Sequence, residues 1–265
     1  MKKLVLLFLF ILTGAIFPAA DTVIITRDYI PYADTTLVFH PQTSAAERNY
    51  PVLFLLHGWS GNHKYWNSIA DIQKYSDEYG FIIVCPEGFY NSWYLNSLTD
   101  NKSQYEKFFF NDLLPEIFSK YNADTSNVFI SGLSMGGHGA MKLFLARPEL
   151  FKGAGSMSGV LDLTFYPNNP HIMDQLGPYA SAKEKWEANS AIYNLYKVTG
   201  MGKAVFLDCG TDDFTYEPTK AYYEKCVKLG INAMFISRPG KHNKEFWMKS
   251  IKYNLDFFKD IAEKR

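Results

Sequence analysis

Five short runs of this chain are almost continuously apolar: Val52 to Leu56, Phe81 to Cys85, Asn127 to Ser131, Ala204 to Cys209 and Ala233 to Ser237. A strand with one wet face alternates apolar and polar residues. Runs without alternation are expected where both faces are covered, as in a parallel sheet. Between the runs lie helical spacings, with Tyr105, Phe109, Leu113 and Ile117 four apart in one segment and Trp247, Ile251, Leu255 and Phe258 in another. Strands alternating with helices predict an α/β fold, a mostly parallel central sheet with helices on both faces. Pro115 lies within the first helical segment, where its missing N–H should kink the helix or mark a first turn. Upstream, Val23 to Thr26 and Thr35 to His40 predict an antiparallel hairpin with Asp34 or its neighbours at the turn. The stretch from Leu163 to Lys185 contains Pro167, Pro170, Gly177 and Pro178 and has weak periodicity. It reads as an insertion over one sheet edge, either shaping a pocket or forming a solvated loop.

Lys2 and Lys3 precede an apolar run, Leu4 to Phe17, that ends in Pro18-Ala19-Ala20. This pattern predicts a signal peptide over residues 1–20 and a single domain over 21–265. The run is shorter than the roughly 20 residues needed to span a bilayer; a retained anchor is the alternative. With no Cys near the cut, the expectation is a secreted or periplasmic protein that leaves the membrane once the signal is removed. The whole chain balances 27 basic against 27 acidic residues, and loss of the two lysines leaves 25 against 27, a net charge of −2. That balance gives no general attraction for nucleic acid or anionic lipid. At 47% hydrophobic and 20% charged, the chain has enough apolar surface for a large core, which excludes a disordered protein. Cys85, Cys209 and Cys226 are too few for a disulfide framework, and the first two end apolar runs, as packing residues do. His57 and His63 lack the spacing of a zinc site, so neither metal nor cofactor is expected.

The chemistry concentrates after the third apolar run, where Gly132-Leu133-Ser134-Met135-Gly136 precedes a helical stretch. A G-x-S-x-G sequence between strand and helix forces a tight turn that exposes the serine hydroxyl as a nucleophile. Serine needs a base that a carboxylate orients, and in hydrolases of this kind the chain order is Ser, acid, His. His138 lies in the helix just after Ser134 and is expected to pack beneath the turn, while His171 falls in the irregular insertion. His242, in a loop between the last strand and last helix, is the expected base. Asp212 and Asp213 follow the Ala204 to Cys209 run, and one of them is the expected acid, the other a turn or helix-cap residue. A tetrahedral oxyanion needs two backbone donors. Met135, after the nucleophile, and Trp59, in the His57-Gly58-Trp59-Ser60-Gly61 loop after the first run, are the candidates, with His57 structural.

Taken in order, Leu56-His57-Gly58-Trp59-Ser60-Gly61-Asn62, Asn91-Ser92-Trp93-Tyr94, Gly132 to Gly139 and Cys209-Gly210-Thr211-Asp212-Asp213-Phe214 make the chain resemble the esterase D / tributyrin esterase group of α/β-hydrolases. That group is similar to S-formylglutathione hydrolases, to the feruloyl and acetyl xylan esterases of carbohydrate esterase family 1, and to mycolyltransferases. The resemblance covers nearly all of residues 22–263. It implies Ser134 as nucleophile, Asp213 as acid, His242 as base and Trp59 and Met135 as oxyanion-hole positions. Two departures stand out: Glu87 occupies a position where Asp is expected, and no aromatic residue follows His242 directly. Trp59, Trp93 and Tyr94 are expected to border the site, with Trp93 and Tyr94 as substrate-binding residues, core packing being the alternative for one of the tryptophans. The implied substrate is a small ester or acylated carbohydrate carrying a short acyl or hydroxycinnamoyl group. An acyltransferase of the same fold and a catalytically silent carbohydrate-binding protein are the alternatives.

Overall fold

The computed structural model describes residues 20–42 and 48–264. The expected signal peptide therefore lies, apart from Ala20, outside the described residues. Eight strands, β1 (Asp21–Ile25), β2 (Asp34–Phe39), β3 (Tyr50–Leu56), β4 (Ile82–Cys85), β5 (Ala123–Gly132), β6 (Gly153–Met157), β7 (Ala204–Gly210) and β8 (Asn232–Arg238), form one sheet in the order β1-β2-β4-β3-β5-β6-β7-β8. The β1–β2 and β2–β4 pairs are antiparallel and the remaining pairs parallel. This is the α/β-hydrolase layout expected from the sequence.

The unbroken apolar runs follow from the two covered faces. In β3, Val52, Phe54 and Leu56 face one hydrophobic layer while Leu53 and Leu55 face the other. β7 divides in the same way, with Val205 and Leu207 on one side and Ala204 and Phe206 on the other. Helices α1 (Ile72–Tyr79) and α7 (Lys244–Glu263) cover the second layer through Ile72, Tyr79, Ile251, Leu255 and Phe258. Helices α2 (Leu114–Lys120), α3 (Met135–Ala146), α4 (Pro170–Leu176), α5 (Tyr179–Asn189) and α6 (Tyr216–Lys228) contribute to the first. Truncating a ring such as Phe54, which is fully buried, would cost about 3–5 kcal/mol in lost transfer energy and cavity formation.

Three expectations need correction, and the one for Pro115 is met with an addition. Asp34 is not at a turn; it is the first residue of β2, paired with Ile25 and completely buried. The last apolar run, in β8, is only partly covered and leaves Met234 exposed, because β8 is an edge strand. Pro115 does begin the α-helical turn Leu114–Lys120, but it is preceded by a π-helical turn, Phe109–Leu113. There the Leu114 N–H reaches back to the Phe109 carbonyl. A widened turn gives the proline ring the room that a regular α-helix would deny it. Finally, residues 163–185 are mainly helical: α4 and α5 bury Ile172, Leu176 and Trp186, so this insertion is a packed cap.

Candidate active site

Ser134 sits at the junction of β5 and α3 with φ 53° and ψ −119°, a region that non-glycine residues rarely adopt. Holding a serine there stores on the order of 1–3 kcal/mol of strain, which the surrounding backbone must impose. The glycines make this possible. A Cβ on Gly132 would lie 2.5 Å from the Gly136 backbone, and one on Gly136 would lie 2.4 Å from the His57 carbonyl oxygen. The Ser134 N–H donates to the Met157 carbonyl at 3.0 Å, and its own carbonyl accepts from the His138 N–H at 3.1 Å.

His242 and Asp213 arrive from separate loops at the same end of the sheet. The His242 Nε2 lies 2.8 Å from the Ser134 Oγ, and its Nδ1 lies 3.0 Å from each Asp213 oxygen. Asp213 Oδ1 also accepts from the Thr215 N–H at 2.9 Å and its hydroxyl at 2.8 Å. Burial alone would raise the Asp213 carboxyl, but hydrogen bonding and charge from His242 and the Thr215 N–H outweigh it and hold the group below its ordinary range. Such a relay fixes the imidazole so that Nε2 can take the serine proton. The Phe214 ring lies against His242 at 4.4 Å between centroids, and Trp247 meets it edge-on at 5.0 Å. Asn243, the residue after His242, caps α7 by accepting from the Phe246 N–H at 3.1 Å.

Gly58 packs against Ser134, since a Cβ there would lie 3.4 Å from the Ser134 Cβ. Among the described residues, neither the Trp59 N–H nor the Met135 N–H donates to a protein acceptor. Met135 follows Ser134 directly in the chain, and Trp59 follows the Gly58 that packs on it. A pocket of about 230 Å³ opens onto Ser134 and His242, walled by Trp59, Trp93, Val160, Tyr166, Asn169, His171 and Phe214.

Trp93 thus reaches the pocket, but Tyr94 does not. Tyr94 is wholly buried; its hydroxyl donates to the His57 carbonyl at 2.9 Å and its ring fills the space beside Gly139, where a Cβ would come within 2.2 Å. It braces the turn from behind and touches no substrate space. Asp212 is an exposed residue of the turn after β7, as expected, while the carboxylate that caps the turn before α6 belongs to Asp213. His138 packs beneath the elbow as expected, its two ring nitrogens 3.2 Å from the Trp93 carbonyl and 3.0 Å from the Asn189 carbonyl. Burial lowers its pKa to about 4, so it is neutral at neutral pH. His171 stands on α4 and lies against Trp59 at 4.3 Å. Tyr166, Asn169, Val160 and Phe214 also line the pocket, beyond the residues expected from the sequence. Asn169-Pro170 was the available signal, because an N-cap Asn followed by Pro starts a helix and so presents His171 on a rigid element.

A family model described as "Putative esterase" matches residues 31–257. An acetyl esterase of Caldicellulosiruptor saccharolyticus is 25% identical over 239 residues, covering 84% of this chain and 88% of the relative. A solved ferulic acid esterase superposes with a TM-score of 0.77 at 26% identity, covering 91% of this chain and 97% of its own. An S-formylglutathione hydrolase from Agrobacterium tumefaciens shares the fold, with a TM-score of 0.78 at 19% identity over 90% of this chain and 94% of its own.

Proposed function

We propose, from the premise that the chain belongs to the esterase family, that it is a serine carboxylesterase acting through an acyl-enzyme on Ser134. The observation that carries this reading is the Ser134–His242–Asp213 relay beside two unpartnered backbone N–H groups. Ser134 Oγ attacks the acyl carbon while His242 Nε2 takes its proton; the carbonyl oxygen, now negative, is held by the Trp59 and Met135 N–H groups. Collapse of the tetrahedral intermediate breaks the bond to the alcohol, which leaves with the proton from His242. Water then attacks the acyl-enzyme with His242 as base, releasing the carboxylic acid and restoring the serine. Asp213 holds the imidazole with its proton on Nδ1 and stabilises the imidazolium that forms in each half.

The substrate reading is a short acyl or hydroxycinnamoyl ester of a carbohydrate. It is supported by relatives named acetyl esterase and ferulic acid esterase, and by a pocket small enough to enclose an acyl group while leaving the alcohol in solvent. An exported enzyme, released after removal of residues 1–20, would meet such polymers; among the described residues, no helix is long and apolar enough to cross a membrane. The test compares wild type with Ser134→Ala on p-nitrophenyl acetate, methyl ferulate and acetylated xylan. Ser134→Ala should fold normally and lose nearly all turnover, and a fluorophosphonate should label wild type once, at Ser134. Labelling at another serine, or full activity in the variant, would remove Ser134 from the mechanism. Acyl transfer to added sugar in place of hydrolysis would make the enzyme a transferase.

A further inference from the structure

The segment carrying the Trp59 N–H is tied at both ends to one residue. At its start, the His57 Nε2 bonds the Glu87 backbone carbonyl; at its end, the His63 Nδ1 bonds the Glu87 carboxylate. The His63 backbone N–H lies 3.4 Å from the same carboxylate oxygen. Both ionisable partners are largely closed off, with side-chain exposures of 16% for His63 and 11% for Glu87, so solvent does little to screen or replace the contact. A third tie runs from the Ser60 N–H to the Tyr90 carbonyl at 3.0 Å. The loop between these ties is not relaxed. Ser60 has φ 60°, and a Cβ on Gly61 would come within 2.6 Å of the His57 ring. Glu87 follows β4 and is absent from the pocket wall, so it reaches no substrate atom.

We propose that Glu87 is a positioning residue for the oxyanion: through His63 its carboxylate fixes the 57–63 loop, and with it the direction of the Trp59 N–H. The inference rests on the reading above, in which that N–H receives the carbonyl oxygen. It also gives the Glu at this position a reason, since the carboxylate must reach past its own backbone tie to His57 in order to hold His63. Removing it leaves the first tie intact and frees the far end of the loop.

The experiment measures p-nitrophenyl acetate hydrolysis by wild type, Glu87→Ala, Glu87→Gln, His63→Ala and the Glu87→Ala/His63→Ala double variant, with Tm and the affinity of a trifluoromethyl ketone that forms a tetrahedral adduct on Ser134. Complete loss of an oxyanion donor costs about 10²–10³-fold in kcat. A misdirected donor should cost less, so Glu87→Ala and His63→Ala should each lower kcat roughly 10- to 100-fold with KM within about twofold. The ketone should weaken by a similar factor. The double variant should be no worse than either single one, because both remove the same tie. Glu87→Gln, which keeps the length and an acceptor oxygen for the His63 N–H, should recover most of the activity. Unchanged kcat and ketone affinity in folded Glu87→Ala, or additive losses in the double variant, would overturn the proposal while leaving the esterase reading intact. A wild type that hydrolyses no ester would instead overturn the reading on which it rests.

Discussion

The two halves of the site are braced by different means. Around Asp213 and His242, the proposed acid and base, the loops are joined mainly through backbone: the Thr211 N–H donates to the Arg238 carbonyl and the Asp212 N–H to the Gly240 carbonyl, both at 3.0 Å. Their chains pass so closely that a Cβ on Gly210 would lie 2.3 Å from the Gly240 oxygen. Around Trp59, the proposed oxyanion donor, the 57–63 loop is held by the side chains of His57, His63, Glu87 and Tyr94 together with the backbone bond from Ser60 to Tyr90. Backbone bracing fails when a side chain is added, because there is no room for it. Side-chain bracing fails when a functional group is taken away. Added bulk at Gly210 or Gly240 should therefore disturb the first half, while loss of the Glu87–His63 contact should loosen the second, where Gly61 is also closed to a side chain.

The largest effect expected on the first half comes from Asp213→Asn. It should keep the fold and lower kcat on the order of 10⁴-fold, because an amide facing Nδ1 favours the wrong imidazole tautomer. Steady-state kinetics on one p-nitrophenyl ester decides it, and a loss under a hundredfold would mean that another group orients His242. Next is Gly240→Ala, whose new Cβ would overlap the buried Phe246 ring at 2.2 Å. Overpacking of this kind costs about 1–3 kcal/mol, so calorimetry should register a Tm several degrees lower, together with reduced activity as His242 shifts. A variant as stable and active as wild type would show that the loops are looser than their contacts imply.

The surroundings of Glu87 have their own stability signature. Asp34 lies buried within the field of the Glu87 carboxylate, and desolvation, aided by that charge, raises its pKa from 3.8 to about 7. One oxygen accepts from the Thr36 hydroxyl at 2.5 Å; the other has no hydrogen-bond partner among the described residues. The folded protein keeps this proton up to about pH 7, while the unfolded chain releases it near 3.8. The folded state thus binds more protons between these values, and this contribution to stability falls as pH rises through the window and levels off above it. Asp34→Asn should flatten that fall in a series of denaturant titrations from pH 4 to 8; an unchanged slope would assign the pH dependence elsewhere. The smallest effect belongs to Asp212→Asn, which should cost tenfold in kcat or less, since this exposed carboxylate contacts neither His242 nor the α6 turn. A loss larger than that of Asp213→Asn would exchange the roles of the two.

These different bracing modes also explain what could be read from the sequence. The parallel sheet was legible because burial on both faces writes unbroken apolar runs, and the elbow because only glycine fits at positions 132 and 136. His242 and the acidic pair were legible by chain order. Choosing Asp213 over Asp212 required the family resemblance, because adjacent carboxylates carry no local mark of which one points inward. Tyr94 was misjudged because an aromatic beside a Trp reads the same whether it faces a pocket or fills the space left by a distant glycine, here Gly139. The Glu87 tie was not legible at all: its ends are 24 and 30 residues away and no spacing rule joins them. Helix α4 is hidden by its own punctuation, since Pro170 and Gly177 mark its two ends and also read as marks of irregularity.

The edge of Trp247 against His242 has an optical consequence. An indole excited state is quenched by a nearby imidazolium far more than by neutral imidazole, so the emission of this one residue, among five tryptophans in the chain, reports the charge on His242. With Trp247→Phe as the blank, the charge on His242, the proposed base, can be read by fluorescence in the resting protein, without substrate and separately from turnover.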